Sequence, residues 1–126
     1  MKHVIRTEAA PIPQSPYSQA VRVGDFIYTC GFGPEDPRTG ELVGTTIEEA
    51  TRQTLENIKA VLTAAGAAMS DVVKVTTHLK NLDDFAGYNR VYAVYFDEPR
   101  PVRTTVGSQL LADFMLEIDV VAYVGK

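Results

Sequence analysis

Residues 99–119, P-R-P-V-R-T-T-V-G-S-Q-L-L-A-D-F-M-L-E-I-D, read as two strands joined by a loop, Val102–Ser108 and Met115–Val124. Side chains on a strand alternate between faces. Arg103 and Thr105 therefore share one face of the first strand, and Val102, Thr104 and Val106 take the other. In the second strand Leu116, Ile118, Val120, Ala122 and Val124 make an unbroken apolar face, with Glu117 and Asp119 opposite beside Met115, Val121 and Tyr123. A guanidinium and two carboxylates thus project from strands that should otherwise be buried, where charge needs a partner or a task. Two readings stay open. One is an Arg–carboxylate ion pair tying the strands together. The other makes Arg103 the receptor for a small carboxylate and Glu117 a base or water-positioning group.

Working outward, 126 residues suit one domain with a real core, spanning 1–126. A 45% hydrophobic content with 22% charged residues excludes a disordered chain. The net charge of −4 and the absence of a basic run weigh against nucleic acid as a partner. The single cysteine, Cys30, excludes an intramolecular disulfide and fits a reducing compartment. The start M-K-H-V-I-R-T-E has no apolar signal core and no apolar run reaches membrane-spanning length, so the expected location is the cytoplasm, without a membrane partner.

Residues 3–8 read as a first strand, ended by the rigid proline loop P-I-P-Q-S-P-Y-S-Q-A, residues 11–20. Tyr17 on that loop is a site residue or a partly buried tyrosine capping the core. Ala20–Val23, Gly24-Asp25 and Phe26–Cys30 make a hairpin with a Gly-first turn. Gly31 and Gly33, around Phe32, either admit a ligand close to the backbone or simply end the strand. Thr46 and Glu49 form a capping box for a helix whose Ile47, Ala50, Leu55, Ile58, Val61, Leu62 and Ala65 recur at the helical period up to Gly66. Residues 71–80 predict a strand with Val73, Val75, Thr77 and Leu79 on one face. A second helix over 83–97 carries Leu82, Phe85, Tyr92 and Phe96 as its stripe, and Asn89 falls near it as a buried amide or a site residue.

The resulting order, β-β-β-α-β-α-β-β, predicts two helices over one face of a six-stranded sheet. The last strand is apolar on both sides, so its second face needs a cover this chain does not contain. A second copy supplies it, with Arg103 and Glu117 near the contact. No metal-ligand cluster forms around His3 or His78, and there is no nucleophile elbow, Walker loop or dinucleotide fingerprint.

Several motifs together resemble the Rid (YjgF) family, whose older name is endoribonuclease L-PSP. They are P-Y-S-Q-A at 16–20, the hairpin from Gly24 to Gly31, D-P-x-T-G-E at 36–41 and Q-T-L-E-N-I-K at 53–59. Ala65-Gly66, D-V-V-K-V-T-T-H-L at 71–79, the Asn89 helix, P-V-R-T-T-V-G at 101–107 and L-E-I-D at 116–119 complete the set. The resemblance implies an α+β, chorismate-mutase-like fold with a mixed sheet, and a homotrimer with sites between subunits. It implies hydrolysis of enamines and imines of the 2-aminoacrylate and 2-iminobutanoate type to 2-oxoacids and ammonia, without metal or cofactor. Arg103 matches the residue that grips the substrate carboxylate, Glu117 the one that positions water, and Tyr17 the loop tyrosine at the cleft. Thr105, Gly31 and Asn89 match positions lining or supporting the pocket. Phe32 stands where glutamine is common, Ser15 where glycine is and Leu111 where proline is, and the connection from Arg103 to Glu117 is about one residue short. Phe32 and Ser15 are expected beside the pocket, and Phe32, as a substrate-binding residue there, motivates an alternative, a same-fold deaminase of a larger amino-acrylate or aminomuconate-type compound. A non-catalytic carboxylate-binding trimer is a further alternative, and ribonuclease activity is the least favoured for an acidic chain without a His pair.

Overall fold

The computed structural model describes residues 1–125. Its strands are β1 (Lys2–Ile5), β2 (Ala20–Val23), β3 (Phe26–Thr29), β4 (Val72–Leu79), β5 (Val102–Gly107) and β6 (Leu116–Tyr123), with helices α1 (Ile47–Ala64) and α2 (Phe85–Tyr95) between them. They form one mixed sheet in the order β1-β2-β3-β6-β4-β5, in which β4 and β5 run parallel and every other pair is antiparallel. The element order and the six-stranded sheet are those expected from the sequence.

α1 starts where its cap dictates. Thr46 accepts from the Glu49 amide, and the Glu49 carboxylate returns to the Thr46 amide. Gly66, at φ 80°, supplies the left-handed residue that ends it. Leu55, Ile58, Val61 and Leu62 are fully buried in the core shared with Ile27, Leu116, Ile118 and Val120. Each such side chain contributes roughly 1.5–3 kcal/mol of gross burial energy. α1 packs on β3, β6 and α2, so both helices lie over one face of the sheet.

Two polar side chains buried in the core were invisible to the hydrophobic pattern, and they hold the loops of the site. Gln19 accepts from the Thr7 amide at 2.7 Å and donates to the carbonyls of Thr7, Ala10 and Pro11 at 2.9, 3.2 and 2.9 Å, fastening the proline loop. Asn57 on α1 donates to the carbonyls of Gly33 and Glu35 at 3.0 and 2.9 Å, fastening the segment that leaves β3. Buried amides need such partners, and here the partners are the backbone of irregular loops.

Bulges correct two of the face assignments. In β4 the pairing with β6 slips between Val72 and Lys74, so Val72 is buried with Val75, and Val73 is exposed. After β3, Tyr28 pairs with Val121 while Phe32 pairs with Ile118, so four steps on one strand match three on the other. The extra residue turns Phe32 into the core, where it is 4% exposed. Thr29 Oγ1 accepts from the Val120 amide at 3.1 Å, standing in for a ladder carbonyl at the slip.

The second helix is shorter than predicted and is preceded by a single turn at Leu82–Asp84, capped by the Asn81 side chain. Leu82 (61% exposed) and Phe85 do not belong to the core, whereas Tyr88, missing from the predicted stripe, is fully buried with Tyr92 and Phe96. The first strand is also shorter than expected, Lys2–Ile5 instead of 3–8.

Candidate active site

β5 is an edge strand, and its Arg103 is level with Val75 of β4, which in turn pairs with Val120 of β6. Directly paired residues point to the same side of a sheet. Arg103 therefore lies on the helix side, under α2. Its guanidinium carbon sits 4.6 Å from the centre of the Tyr92 ring, 5.4 Å from that of Tyr88 and 5.5 Å from that of Phe85. Such stacking holds a cation by the negative faces of the rings. The Tyr88 ring is itself fixed by a 2.7 Å hydrogen bond between its hydroxyl and Thr77 Oγ1. Arg103 Nη1 donates to Asn89 Oδ1 at 2.8 Å, and among the described residues no carboxylate pairs with the guanidinium. An arginine has five N–H donors in a fork. Most of this fork is available to a ligand, in a cleft of about 540 Å³ bounded by Asn89, Tyr92, Ala93, Arg100, Pro101 and Arg103.

Asn89 differs from the expected buried amide. It is on the exposed side of α2, where its carbonyl oxygen orients Arg103. Thr105, two residues along β5 on the same face, is half-buried, and its hydroxyl is buried without a partner among the described residues.

Glu117 belongs to the other side. It alternates with the core residues Leu116 and Ile118 and pairs with His78, which faces away from the helices. The sheet thus separates Glu117 from Arg103, and this overturns the reading of an ion pair tying two strands within the chain. The Glu117 carboxylate rests on the backbone of Gly31: a Cβ built there would lie 2.7 Å from its Cδ and Oε2. Gly31 does not have a positive φ, so what requires glycine is the close approach alone. Among the described residues Glu117 has no ion-pair partner.

Tyr17 is 55% exposed, which overturns the core-cap alternative, and it shares a shallow cleft with Pro16, Ser18, Tyr28, Thr29 and Cys30. Its phenol is held above the ordinary value by burial first, then by Cys30, Glu35 and Glu117, so these groups are neighbours in one electrostatic environment. The Cys30 thiol is pushed up to about 12, by burial and then by Glu117, with Asp119 and Glu35 adding to it. A thiol so placed stays protonated at neutral pH and is no nucleophile. Asp119 is also raised by burial, against the pull of His78 and Lys74.

The predicted residues therefore fall into two groups on opposite faces: Arg103 and Thr105 on the helix side with Asn89 of α2, and Glu117, Gly31 and Tyr17 on the open face. Phe32 joins neither. Its burial in the core removes it as a lining residue, and with it the side-chain argument for a larger substrate. No group of three or more His, Cys, Asp or Glu side chains is disposed to hold a metal ion among the described residues. No helix among them is long and apolar enough to cross a membrane.

Residues 7–124 match the family model described as Endoribonuclease L-PSP. A RutC family protein of Pyrococcus horikoshii is 52% identical, over 98% of this chain and 98% of that protein. The 2-iminobutanoate/2-iminopropanoate deaminase of Dermatophagoides farinae is 41% identical over 98% of this chain and 97% of that protein. The crystal structure of Escherichia coli TdcF with bound serine superposes with a TM-score of 0.92 at 37% identity, covering 98% of this chain and 99% of that one. On sequence, on fold and on the arrangement of its strands, the chain belongs to the Rid (YjgF) family.

Proposed function

We propose that this chain hydrolyses small 2-imino acids and their enamine tautomers to 2-oxoacids and ammonia, at sites built by two copies of the chain. The observation that carries the reading is the Arg103 fork, stacked on three rings, steadied by Asn89 and, among the described residues, unpaired with a carboxylate. A planar carboxylate accepts two parallel hydrogen bonds from such a fork, each worth roughly 1.5–3 kcal/mol. That is enough to orient a ligand of a few atoms. The deaminase name of one relative and the serine bound to another support an amino- or imino-acid ligand.

The chemistry then needs one water and one base. With the carboxylate on Arg103, Glu117 of a neighbouring copy holds a water against the carbon of the protonated imine. The water oxygen forms its bond to that carbon, the C=N π electrons move onto nitrogen, and the water's proton passes to Glu117. This gives a neutral carbinolamine. Glu117 returns the proton to nitrogen, the C–N bond breaks with its electron pair leaving on ammonia, and the hydroxyl closes to the carbonyl as its proton passes to Glu117 and from there to the ammonia, which departs as ammonium. General-base assistance of this kind contributes typically about 10²–10⁴ in rate.

A homotrimer is the assembly we assign to it. The open face of the sheet exposes Phe26, Tyr28 and Tyr123, a cluster of rings that another copy would bury. The test generates 2-iminopropanoate or 2-iminobutanoate in situ with an amino-acid oxidase and traps free imine with semicarbazide. The wild-type protein should lower the trapped fraction and Arg103→Ala should not. Equal trapping with and without wild-type protein would overturn the reading.

A further inference from the structure

The cleft at Arg103 holds a second cation that the proposed reaction does not use. Arg100 stands three residues before Arg103, so their Cα atoms are at most about 10 Å apart along extended chain. Its Nε donates to the Phe96 carbonyl at 3.0 Å, which fixes the guanidinium plane at the end of α2. Its one ion-pair partner among the described residues is Glu98, whose Oε1 lies 3.8 Å from Nη1, with both side chains largely in solvent. A pair that long and exposed is worth little and yields to a better ligand.

The rest of the lining is Asn89, Tyr92, Ala93 and Pro101, with no carboxylate among them. Tyr92 is 5% exposed, and its hydroxyl oxygen is buried without a hydrogen-bond partner among the described residues. Burial drives that phenol up to about 12, with Tyr88 adding to it, while Arg103 and Arg100 both act against the rise. Both guanidiniums line the same cleft as Tyr92. Two cations and an unpartnered donor around one cleft describe a receptor for more than one anionic group.

We propose that Arg100 and the Tyr92 hydroxyl form a subsite for a second carboxylate, so that the chain takes four- and five-carbon 2-imino diacids, with the carboxylate next to the imine on Arg103 and the distal one on Arg100. The assignment rests on the proposed deaminase reading, and it adds the substrate class. The extra carboxylate that separates diacids from monoacids meets Arg100, since the lining groups other than Arg100 and Arg103 are neutral.

The experiment compares 2-iminoglutarate and iminosuccinate, generated from glutamate and aspartate by the matching oxidases, with 2-iminopropanoate from alanine. It follows kcat/KM in wild type and in Arg100→Met, which keeps the apolar stem of an exposed side chain. In parallel, 2-oxoglutarate and pyruvate are titrated calorimetrically. Wild type should favour the diacid imines tenfold or more, and Arg100→Met should reduce that preference by about ten- to a hundredfold, the range for loss of a charge-assisted pair. Tyr92→Phe should reduce it in the same direction. A wild-type preference near one, or a preference unchanged in Arg100→Met, overturns the subsite while leaving the deaminase reading intact. If no imine is turned over but 2-oxoglutarate binds more tightly than pyruvate in an Arg100-dependent way, the subsite stands and the deaminase reading falls.

Discussion

Because Arg103 and Glu117 project from opposite faces of one sheet, two inactive variants should complement each other. Arg103→Ala retains Glu117, and Glu117→Ala retains Arg103. If each site takes its arginine from one copy and its glutamate from the next, a mixed assembly contains sites in which both are intact. For random assembly from equal amounts, the chance that a given site has an intact arginine on one side and an intact glutamate on the other is about one half times one half, or about a quarter of wild-type activity. The figure is the same for any closed ring, because it concerns one junction. The two variants are purified separately, unfolded, mixed and refolded, and native mass spectrometry with one chain isotopically labelled verifies that mixed assemblies form. Activity is read by the semicarbazide trap. Recovery near a quarter, from parents with none, supports a site shared between copies. Mixed assemblies with no recovered activity would refute the reasoning, since they would mean that both groups act within one chain or that Glu117 is not the base.

Three further outcomes follow from contacts within the chain. In Gly31→Ala the new methyl displaces the Glu117 carboxylate by roughly 1 Å, since ordinary contact needs more than the 2.7 Å available, and kcat should fall by on the order of a hundredfold with little change in melting temperature; full activity would show that the seat of Glu117 is immaterial. Thr77→Val and Tyr88→Phe each leave one buried hydroxyl of a 2.7 Å pair unsatisfied and should each cost about 1–3 kcal/mol in denaturant unfolding at one protein concentration, whereas the double variant should cost less than the sum. Strict additivity would refute that pairing. For Cys30, held near 12, the reactive thiolate is scarce until strongly alkaline pH. Alkylation of the native protein near neutral pH should run about three orders of magnitude slower than that of a free thiol of pKa about 8.5 and should accelerate about tenfold per pH unit, so a rate like that of the free thiol would refute the burial argument.

The parts of the fold legible in the sequence are those set by local rules. The Thr46–Glu49 box and Gly66 delimit α1 because capping involves neighbours in the chain. Gly24 alone takes a positive φ between β2 and β3, as a Gly-first two-residue turn requires. What was not legible depends on register. Alternation assigns Arg103 to one side of β5 and Glu117 to one side of β6, but whether those sides coincide depends on β4, which lies between them. Phe32 was misread for a related reason. The slip after Tyr28 adds one residue, and with a period of two, one residue exchanges the faces. Leu82 and Phe85 were misplaced because the helix is anchored by Tyr88, whose hydroxyl is satisfied by Thr77. Gln19 and Asn57 carry no periodic signal, since their partners are loop carbonyls distant in sequence.

The two halves of the candidate site are held differently, and in the proposed reaction their tasks explain the difference. The carboxylate receptor must keep its geometry while the imine carbon changes from planar to tetrahedral and back. Arg103 is accordingly stacked among three rings and bonded to Asn89, and the ring closest to it, Tyr92, is buried in the core. The base must meet two different atoms in turn, the water oxygen and then the departing nitrogen, which flank the same carbon. Glu117 is pinned by no ion pair among the described residues. It rests on the Gly31 backbone, close enough that a Cβ there would lie 2.7 Å from its Cδ and Oε2. A tighter hold would place the carboxylate well for one proton transfer and poorly for the other. In the proposed reaction, a glycine under a carboxylate without an ion-pair partner among the described residues and an aromatic cage around a guanidinium thus answer opposite demands: small motion of the group that moves the proton, and rigid positioning of the substrate.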